Sequence, residues 1–182
     1  MNKIDKKQKI NNDLIPLIGK KKEIIGFEEK NTIHEKGILH SAVSVFIFNM
    51  KNDLMIQKRS FNKYHSSLLW TNTCCSHPKK HESLLDAAHR CLINEMGFDC
   101  FLKKKFCFIY NELLNNGLIE NELDHVFVGY YEKNPNINYK EVNNWDWISV
   151  KKLIQNIQVN PKSYTIWLKI IINKYINKLL KK

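Results

Sequence analysis

The sequence predicts a single α+β domain in which helices and a sheet form α/β/α layers. Two observations support this class. Strand-like and helix-like segments follow one another without a regular βαβ alternation, and no repeat, linker or composition break follows a polar start over residues 1–12. A chain of 182 residues is also long enough for one well-cored domain. We therefore expect a polar N-terminal extension over residues 1–12 and one domain over residues 13–182.

The elements of the N-terminal half follow from apolar patterning. Residues 14–18 and 24–27 are apolar segments on either side of a glycine-lysine turn, which predicts an early hairpin. Residues 40–48 alternate and are rich in Val, Ile and Phe, as is typical of a strand. Residues 54–58 are expected to pair with that strand across a turn at residues 49–53.

The C-terminal half contains the clearest helix. Residues 83–96 carry apolar side chains at helical spacing, and Gly97 follows as a plausible residue to end the helix. The remaining elements are predicted from the same patterns: strands over residues 106–110 and 122–131, a short helix capped by Ser149, and an amphipathic helix over residues 164–180.

The net charge of +11 raises the question of nucleic-acid binding, because clustered basic residues release counterions from phosphates. Here the basicity is almost entirely lysine, since Arg59 and Arg90 are the only arginines. Lys, Asn and Ile are all abundant and all have AT-rich codons. We interpret the charge as genome composition on a solvated surface. No aromatic interleaving or zinc-finger pattern supports a nucleic-acid partner.

The sequence also bears on the compartment. No apolar run approaches the roughly 18 residues that span a membrane, and the N-terminus lacks the apolar segment of a secretory signal. The five cysteines are an odd number and form no CxxC pair, which indicates reduced thiols rather than a disulfide framework. We expect a cytoplasmic protein without a membrane partner, and the sequence leaves monomer and homodimer open.

Two short segments carry side chains suited to proton transfer. Within residues 70–78, Cys75 and His77 place a thiol and an imidazole two residues apart. Further on, Glu120 and Glu122 stand at positions i and i+2, which point to the same face of an extended strand. A thiol facing a carboxylate, with further His and Glu side chains available to a metal, predicts a site that moves protons.

Residues 76–98 resemble the Nudix box, G-x5-E-x7-R-E-U-x-E-E-x-G-U, in which U is a bulky apolar residue. The matching positions are Glu82, Arg90, Leu92, Glu95, Gly97 and Phe98. Three positions depart from the pattern: Ser76 replaces the first glycine, Cys91 the glutamate after arginine, and Asn94 the first of the paired glutamates. In Nudix hydrolases those carboxylates gather divalent metals on a diphosphate. The two missing carboxylates disfavour hydrolysis, while Glu95 remains able to hold one Mg²⁺.

With residues 70–78 before this box and residues 120–122 after it, the sequence closely resembles type I isopentenyl diphosphate isomerase. The resemblance extends from about residue 30 to residue 167. It implies a Nudix-like α/β/α sandwich with a mixed sheet. It also implies a small-molecule diphosphate substrate and the interconversion of isopentenyl and dimethylallyl diphosphates through a tertiary carbocation.

The resemblance further implies roles for individual residues. The catalytic residues would be Cys75, Glu122 and Tyr110. One divalent ion, for which the residue types do not choose among Mn²⁺, Zn²⁺ and Mg²⁺, would be held by His34, His40, His77, Glu120 and Glu122. A second ion, Mg²⁺, would bridge Glu95 and the diphosphate. The diphosphate itself would be held by Lys30, Arg59 and Lys63, and Trp167 would face the reacting carbons.

Three other functions remain open from the sequence. A Nudix-type pyrophosphohydrolase would use the same fold, but it would leave the pair of Cys75 and Glu122 without a role. A basic nucleic-acid-binding protein would use the lysine-rich surface. A redox sensor would use the adjacent thiols of Cys74 and Cys75.

Overall fold

The computed structural model describes residues 13–181 and contains one mixed β-sheet flanked by helices. The polar extension predicted over residues 1–12 lies outside the described residues. The strands are β1 (Ile15–Ile18), β2 (Ile24–Glu28), β3 (His40–Phe48), β4 (Asp53–Arg59), β5 (Trp70–Thr71), β6 (Cys74–Ser76), β7 (Leu102–Leu113), β8 (Ile119–Tyr130) and β9 (Val142–Ser149). The helices are α1 (Lys30–Lys36), α2 (Leu84–Met96), α3 (Val150–Val159), α4 (Ile166–Ile170) and α5 (Ile176–Leu180).

Strand β3 lies at the centre of the sheet and is buried along its whole length. It pairs in parallel with β8, from His40 beside Glu122 to Phe48 beside Tyr130, and antiparallel with β1, β4 and β6. The predicted hairpin of β1 and β2 and the predicted pairing of β3 with β4 are confirmed. Because β3 and β8 are parallel, His40 at the start of β3 lies beside Glu122 near the start of β8, at one end of the sheet.

The two faces of the sheet bury different layers. On one face, Val45 and Phe127 pack against α2, in a cluster that includes Leu92 and Met96. On the other face, Phe46 and Val126 pack against the C-terminal helices, in a cluster that includes Trp167. We call these the α2 face and the C-terminal face. The predicted α+β class and the layered architecture are confirmed.

Helix α2 begins and ends as the sequence predicts. The side chain of Ser83 accepts a hydrogen bond from the backbone N–H of Asp86, so Ser83 is the cap and the helix itself starts at Leu84. Gly97 ends the helix with φ 73°, and a Cβ there would lie 2.1 Å from the carbonyl oxygen of Asn136. Gly97 therefore lets the chain turn and lets the segment around Asn136 pack closely.

Several predicted boundaries were wrong, and the physical reason is similar in each case. Strands β7 and β8 form a longer hairpin than the predicted segments 106–110 and 122–131, because backbone pairing continues where the apolar pattern stops. Strand β9 and helix α1 were not predicted. Each buries only two residues, which leaves almost no apolar pattern to detect.

The C-terminal helical region also differs from its prediction. Ser149 caps α3, as predicted, by accepting from the backbone N–H of Lys152. The predicted helix over residues 164–180 instead begins at Ile166, because Tyr164 is still extended and bridges to Trp70. A π-helical turn at Ile171–Tyr175 then separates α4 from α5. None of the described helices combines the length and the apolar character needed to cross a membrane.

Candidate active site

A pocket of about 220 Å³ opens on the C-terminal face, where β3 and β8 begin. It is lined by ten of the residues singled out from the sequence: Lys30, Arg59, Lys63, Cys75, His77, Glu95, Tyr110, Glu120, Glu122 and Trp167. The remaining two, His34 and His40, are fully buried beside it. The structure thus brings together every side chain that the sequence analysis selected.

Three imidazoles and two carboxylates meet on one side of the pocket. Nε2 of His77 lies 3.0 Å from Oε1 of Glu122 and 3.2 Å from Nε2 of His40. Nε2 of His34 lies 3.3 Å from Oε2 of Glu120. Helix α1 supplies His34, β3 supplies His40, the segment after β6 supplies His77, and β8 supplies both glutamates.

The orientation of two of these histidines leaves one nitrogen each for a further partner. Nδ1 of His34 lies 2.7 Å from the carbonyl oxygen of Lys30, and Nδ1 of His40 lies 2.8 Å from that of Ile38. A carbonyl oxygen only accepts, so both Nδ1 atoms donate, and Nε2 of each ring is directed at the cluster. Nε2 of His34 and Oε2 of Glu120 are buried and have no hydrogen-bond partner among residues 13–181.

This donor set fits a divalent metal. Imidazole nitrogens and carboxylate oxygens are the ligands that divalent transition metals take in proteins, and buried polar atoms without a partner, such as Nε2 of His34, are costly unless a cation joins them. The side chains of His34, His40, His77 and Glu122 offer ligand atoms that all lie within 4.8 Å of one another. Backbone carbonyls that orient the ligand imidazoles are also a common feature of metal centres.

In the protein without a bound ion, burial and neighbouring groups determine the pKa values of the residues in this cluster. Burial lowers the pKa of His77 to about 3, so its imidazole is neutral. Burial acts to raise the pKa of Glu122, but hydrogen bonds to His40 and His77 outweigh it and hold that pKa well below its usual range. Burial, followed by the nearby charge of Glu122, raises the pKa of Glu120.

Cys75 belongs to another wall of the pocket. It lies opposite Ser44 in the pairing of β3 with β6 and therefore points to the C-terminal face. Its Sγ lies 3.9 Å from Nη1 of Arg59. Burial raises the pKa of the Cys75 thiol, although the Arg59 charge opposes this, so the thiol keeps its proton at neutral pH. Cys74 faces the opposite way and is fully buried on the α2 face.

Tyr110 and Trp167 also line the pocket. The Tyr110 hydroxyl donates a 2.7 Å hydrogen bond to Oε2 of Glu122. The indole N–H of Trp167 donates to the Thr71 hydroxyl at 2.8 Å, which fixes the plane of the ring. The guanidinium of Arg59 lies 5.3 Å from the centre of that ring. An aromatic ring, a thiol and a carboxylate therefore line the same small pocket.

Positive charge lines the mouth of the pocket. Burial lowers the pKa of Lys30, and the neighbouring Arg59 and Lys63 lower it further, which indicates crowded cations without enough anions. Lys63 forms ion pairs with Glu95 at 2.9 Å and with Glu141 at 2.5 Å. A bound dianion would relieve the repulsion among these cations through charge-assisted hydrogen bonds.

Two residues that match the Nudix box, Glu82 and Arg90, bind each other and a neighbouring backbone segment. Arg90 donates two hydrogen bonds to the carboxylate of Glu82 and one, at 2.9 Å, to the carbonyl oxygen of His77. Arg90 therefore holds the segment that carries His77. The two positions where the hydrolase carboxylates are missing, Cys91 and Asn94, also line the pocket.

Sequence reasoning missed two buried polar residues at the site. Asp124 continues the alternation of Glu120 and Glu122 on β8 and accepts a 2.8 Å hydrogen bond from Ser44, so the i, i+2 spacing was a usable signal. His65 has Nε2 at 3.4 Å from Oε1 of Glu120. It lies in the segment between β4 and β5, where no periodic pattern points to it.

The fold and the pocket define a Nudix protein. Residues 38–168 match the family model of the NUDIX domain. Two solved structures share the fold: DR0079 from Deinococcus radiodurans (TM-score 0.73, 14% identity, covering 89% of this chain and 99% of that one), and the MutT protein from Methanosarcina mazei (TM-score 0.65, 16% identity, covering 79% and 96%). At these identities the likeness concerns the fold alone.

Relatives of known name show to which family of Nudix proteins the chain belongs. The chain is 50% identical over 161 residues to "Isopentenyl-diphosphate Delta-isomerase 2" of Photorhabdus laumondii, covering 88% of this chain and 91% of the relative. It is 41% identical over 165 residues to the protein of the same name in Aromatoleum aromaticum, covering 91% and 87%. The chain belongs to the isopentenyl-diphosphate Delta-isomerase family of Nudix proteins.

Proposed function

We propose that this protein interconverts isopentenyl diphosphate and dimethylallyl diphosphate, with Cys75 and Glu122 as its two acid/base groups. The observation that carries the proposal is the position of a protonated thiol and a hydrogen-bonded carboxylate in the same pocket, beside a fixed indole. A pyrophosphohydrolase has no use for this pair. The family membership of the chain supports the same reaction.

The reaction explains why these residue types are needed. Moving the double bond requires a proton to be added at one carbon and another to be removed from a second carbon. The alkene is unactivated, so the intermediate is a tertiary carbocation without a neighbouring heteroatom. Two positioned acid/base groups each accelerate such transfers by about 10²- to 10⁴-fold. We assign these transfers to the Cys75 thiol and to Glu122, with Tyr110 holding the Glu122 carboxyl group through its hydrogen bond.

We assign to Trp167 the stabilisation of the carbocation intermediate. An indole face stabilises a desolvated cation by about 2 kcal/mol or more. The hydrogen bond from the indole N–H to Thr71 holds the ring in place before substrate arrives, so no orientation entropy is lost at the reactive step. The ring is only 3% exposed, which also helps to exclude water that would trap the cation as an alcohol.

The diphosphate anchors are Lys30, Arg59 and Lys63. They line the same pocket, and the pKa of Lys30 is lowered first by burial and then by repulsion from Arg59 and Lys63, which an anion would relieve. In Arg59, Nε and Nη2 donate to the carbonyl oxygens of Ser66 and His65, so the N–H groups of Nη1 and the second N–H of Nη2 are left for substrate.

Two divalent ions are proposed. The residues His34, His40, His77, Glu120 and Glu122 would hold Mn²⁺, Zn²⁺ or Mg²⁺, and Glu95 would help to bind Mg²⁺ against the diphosphate. When bound, the first ion supplies positive charge that orders the Glu122 carboxyl group, and the second neutralises the diphosphate. All five cysteines are free, which supports a reducing compartment, and we propose the cytoplasm.

The experiment is an isomerisation assay in D₂O with purified protein, isopentenyl diphosphate and Mg²⁺, with and without Mn²⁺ or Zn²⁺, followed by NMR. We expect deuterium to appear in dimethylallyl diphosphate without release of phosphate. Chelation of the metals should stop the exchange, and re-addition of one of them should restore it. Substrate that stays intact and unexchanged under every metal condition would refute the isomerase. Release of phosphate would point to the hydrolase instead.

A further inference from the structure

His65 is a buried titratable residue of the pocket that the proposed reaction leaves without a role. It is 7% exposed, and its Nε2 lies 3.4 Å from Oε1 of Glu120. Its Nδ1 lies 3.3 Å from the hydroxyl oxygen of Ser66, a group that can donate a hydrogen bond to that nitrogen, so Nε2 can carry the ring proton. A neutral imidazole has one donor nitrogen and one acceptor nitrogen, and Glu120 offers only acceptors when ionised.

The ring of His65 is held from several sides. Arg59 donates to the carbonyl oxygens of His65 and Ser66, both at 3.1 Å, which fixes the backbone. The ring meets Tyr64 edge-on with centroids 4.5 Å apart, and it meets Trp167 edge-on at 6.1 Å. Ser66 has φ 50°, a value that is unusual for a residue other than glycine. Its carbonyl oxygen is one of the two that accept from Arg59. A side chain held this firmly is suited to orienting a neighbour.

His65 is poorly suited to bind a separate ion. Its ligand atom groups with those of His34 and Glu120, whereas His34 also belongs to the group with His40, His77 and Glu122. The two groups share Nε2 of His34, because Nδ1 of that residue contacts the carbonyl oxygen of Lys30. One nitrogen lone pair binds one ion, so the two groups cannot both be filled through His34.

We propose that His65 is a positioning residue for Glu120: its Nε2–H holds Oε1 of the carboxylate, which leaves Oε2 turned toward His34 and the metal. The geometry that supports this is the pair of distances on the same carboxylate, 3.4 Å from Oε1 to His65 and 3.3 Å from Oε2 to His34. Metal-binding carboxylates are themselves usually hydrogen-bonded, and loss of such a partner typically weakens metal binding by about 10- to 100-fold. The inference rests on the proposed metal centre.

The test measures metal binding directly and needs no substrate. Protein stripped with a chelator is titrated with Mn²⁺ by calorimetry, and the bound ion is observed by electron paramagnetic resonance. We expect His65→Ala to raise the Mn²⁺ dissociation constant by about 10- to 100-fold. His65→Gln, which restores an N–H donor near the position of Nε2, should recover most of the affinity. His89→Gln is the matched control, because His89 pairs with Asp99 at the surface and does not line the pocket.

The outcomes separate the possible roles. An unchanged dissociation constant in His65→Ala would overturn the inference. Equal losses in His65→Ala and His65→Gln would also overturn it, because the residue would then act as a ligand or through packing rather than as a donor. Equal melting temperatures of the stripped variants, with the metal affinity lost only in His65→Ala, would support it. Absence of Mn²⁺ binding in the unsubstituted protein would refute the metal centre itself, which is a result distinct from any difference among variants.

Discussion

The two faces of strands β3 and β8 differ in the side chains that they carry. On the α2 face, Val43, Val45 and Phe127 pack into an apolar layer. On the C-terminal face, the same strands carry His40 and Glu122 near their beginnings, and Phe46 and Val126 of the apolar core lie further along. On these two strands, the histidine and glutamate cluster therefore lies at one end of one face. Whether a residue number is odd or even decides which face of the sheet its side chain lies on, because successive side chains alternate. On the C-terminal face, the position along the strand then decides whether the side chain lies in the pocket or in the apolar core.

The adjacent cysteines of β6 show the same contrast at its smallest scale. Cys74 lies in the apolar layer under α2, and Cys75 lies in the pocket. Their side chains differ only in direction, since successive residues of a strand point to opposite faces. Substitutions on the two faces should consequently have separable effects on activity and on stability.

The largest expected effect is the loss of activity in Cys75→Ala. Removal of one acid/base group should lower the isomerisation rate by about 10²- to 10⁴-fold with little change in melting temperature. Cys74→Ala is the matched control. We expect it to keep most of the activity and to lose about 1 kcal/mol of stability, because a buried sulfur is removed from an apolar layer. The rates are measured by deuterium incorporation. If Cys74→Ala is as inactive as Cys75→Ala, the assignment of the catalytic thiol is wrong.

The opposite pattern is expected for Leu92→Ala on the α2 face. Leu92 is fully buried on α2, and truncation of such a residue costs about 2–5 kcal/mol through lost burial and a cavity. Urea denaturation should show this loss, while the activity per folded molecule stays close to that of the unsubstituted protein. A large loss of activity at full folding would contradict the separation of the two faces.

A smaller effect is expected at the aromatic wall. If the Trp167 ring stabilises the carbocation by about 2 kcal/mol, Trp167→Ala should lower turnover by about 30-fold. Trp167→Phe should lower it less, because an aromatic face remains. Both substitutions remove the hydrogen bond to Thr71, so the difference between them isolates the ring. Equal turnover numbers for the two variants would argue against a cation–π role.

The smallest expected effect is a pH dependence of stability from His125, on β8. Burial, and then the charges of Lys104 and Lys22, lower the pKa of His125 to about 4. The unfolded state takes up the proton near pH 6.5, so the contribution of His125 to stability is present above that pH and is lost as the pH falls toward 4. Allowing for solvent screening, we expect about 1 kcal/mol.

The measurement for His125 is a series of urea denaturation curves between pH 7.5 and pH 4.5. The free energy of unfolding should fall less steeply with decreasing pH in His125→Gln than in the unsubstituted protein. Other histidines contribute to the slope, so the comparison between the two proteins is the informative quantity. Identical slopes would show that His125 is as easily protonated in the folded state as in the unfolded state.

The site was easier to predict from the sequence than the ends of several elements. The order and spacing of Cys75, His77, Glu120 and Glu122 with the Nudix-like box pointed to one pocket, and the structure brings those side chains together. The short helix α1 shows the other case. It carries Lys30 and His34 into the site, but it buries only Ile33 and His34, too few for a helical pattern.

His65 shows why some site residues escape sequence reasoning. Its position depends on a loop folded by hydrogen bonds from Arg59 to backbone carbonyl oxygens, which any residue type provides. A single histidine next to Tyr64 carries no periodic signal. Asp124, in contrast, continued a visible alternation on β8 and escaped only because the strand was predicted for its apolar residues.

The pocket can form during folding only after β3 has paired with β8. Ser44 and Asp124, which are hydrogen-bonded across this pair, lie 80 residues apart in the chain. Contacts of such separation are slow to form, since the entropy of closing the intervening loop must be lost before they stabilise anything. A nascent chain that has not yet extruded β8 has His34, His40, Cys75 and His77 but neither glutamate beside them. Recovery of turnover after dilution from denaturant is therefore a report on the last long-range step of folding, and it should lag behind the appearance of helical circular dichroism from α2.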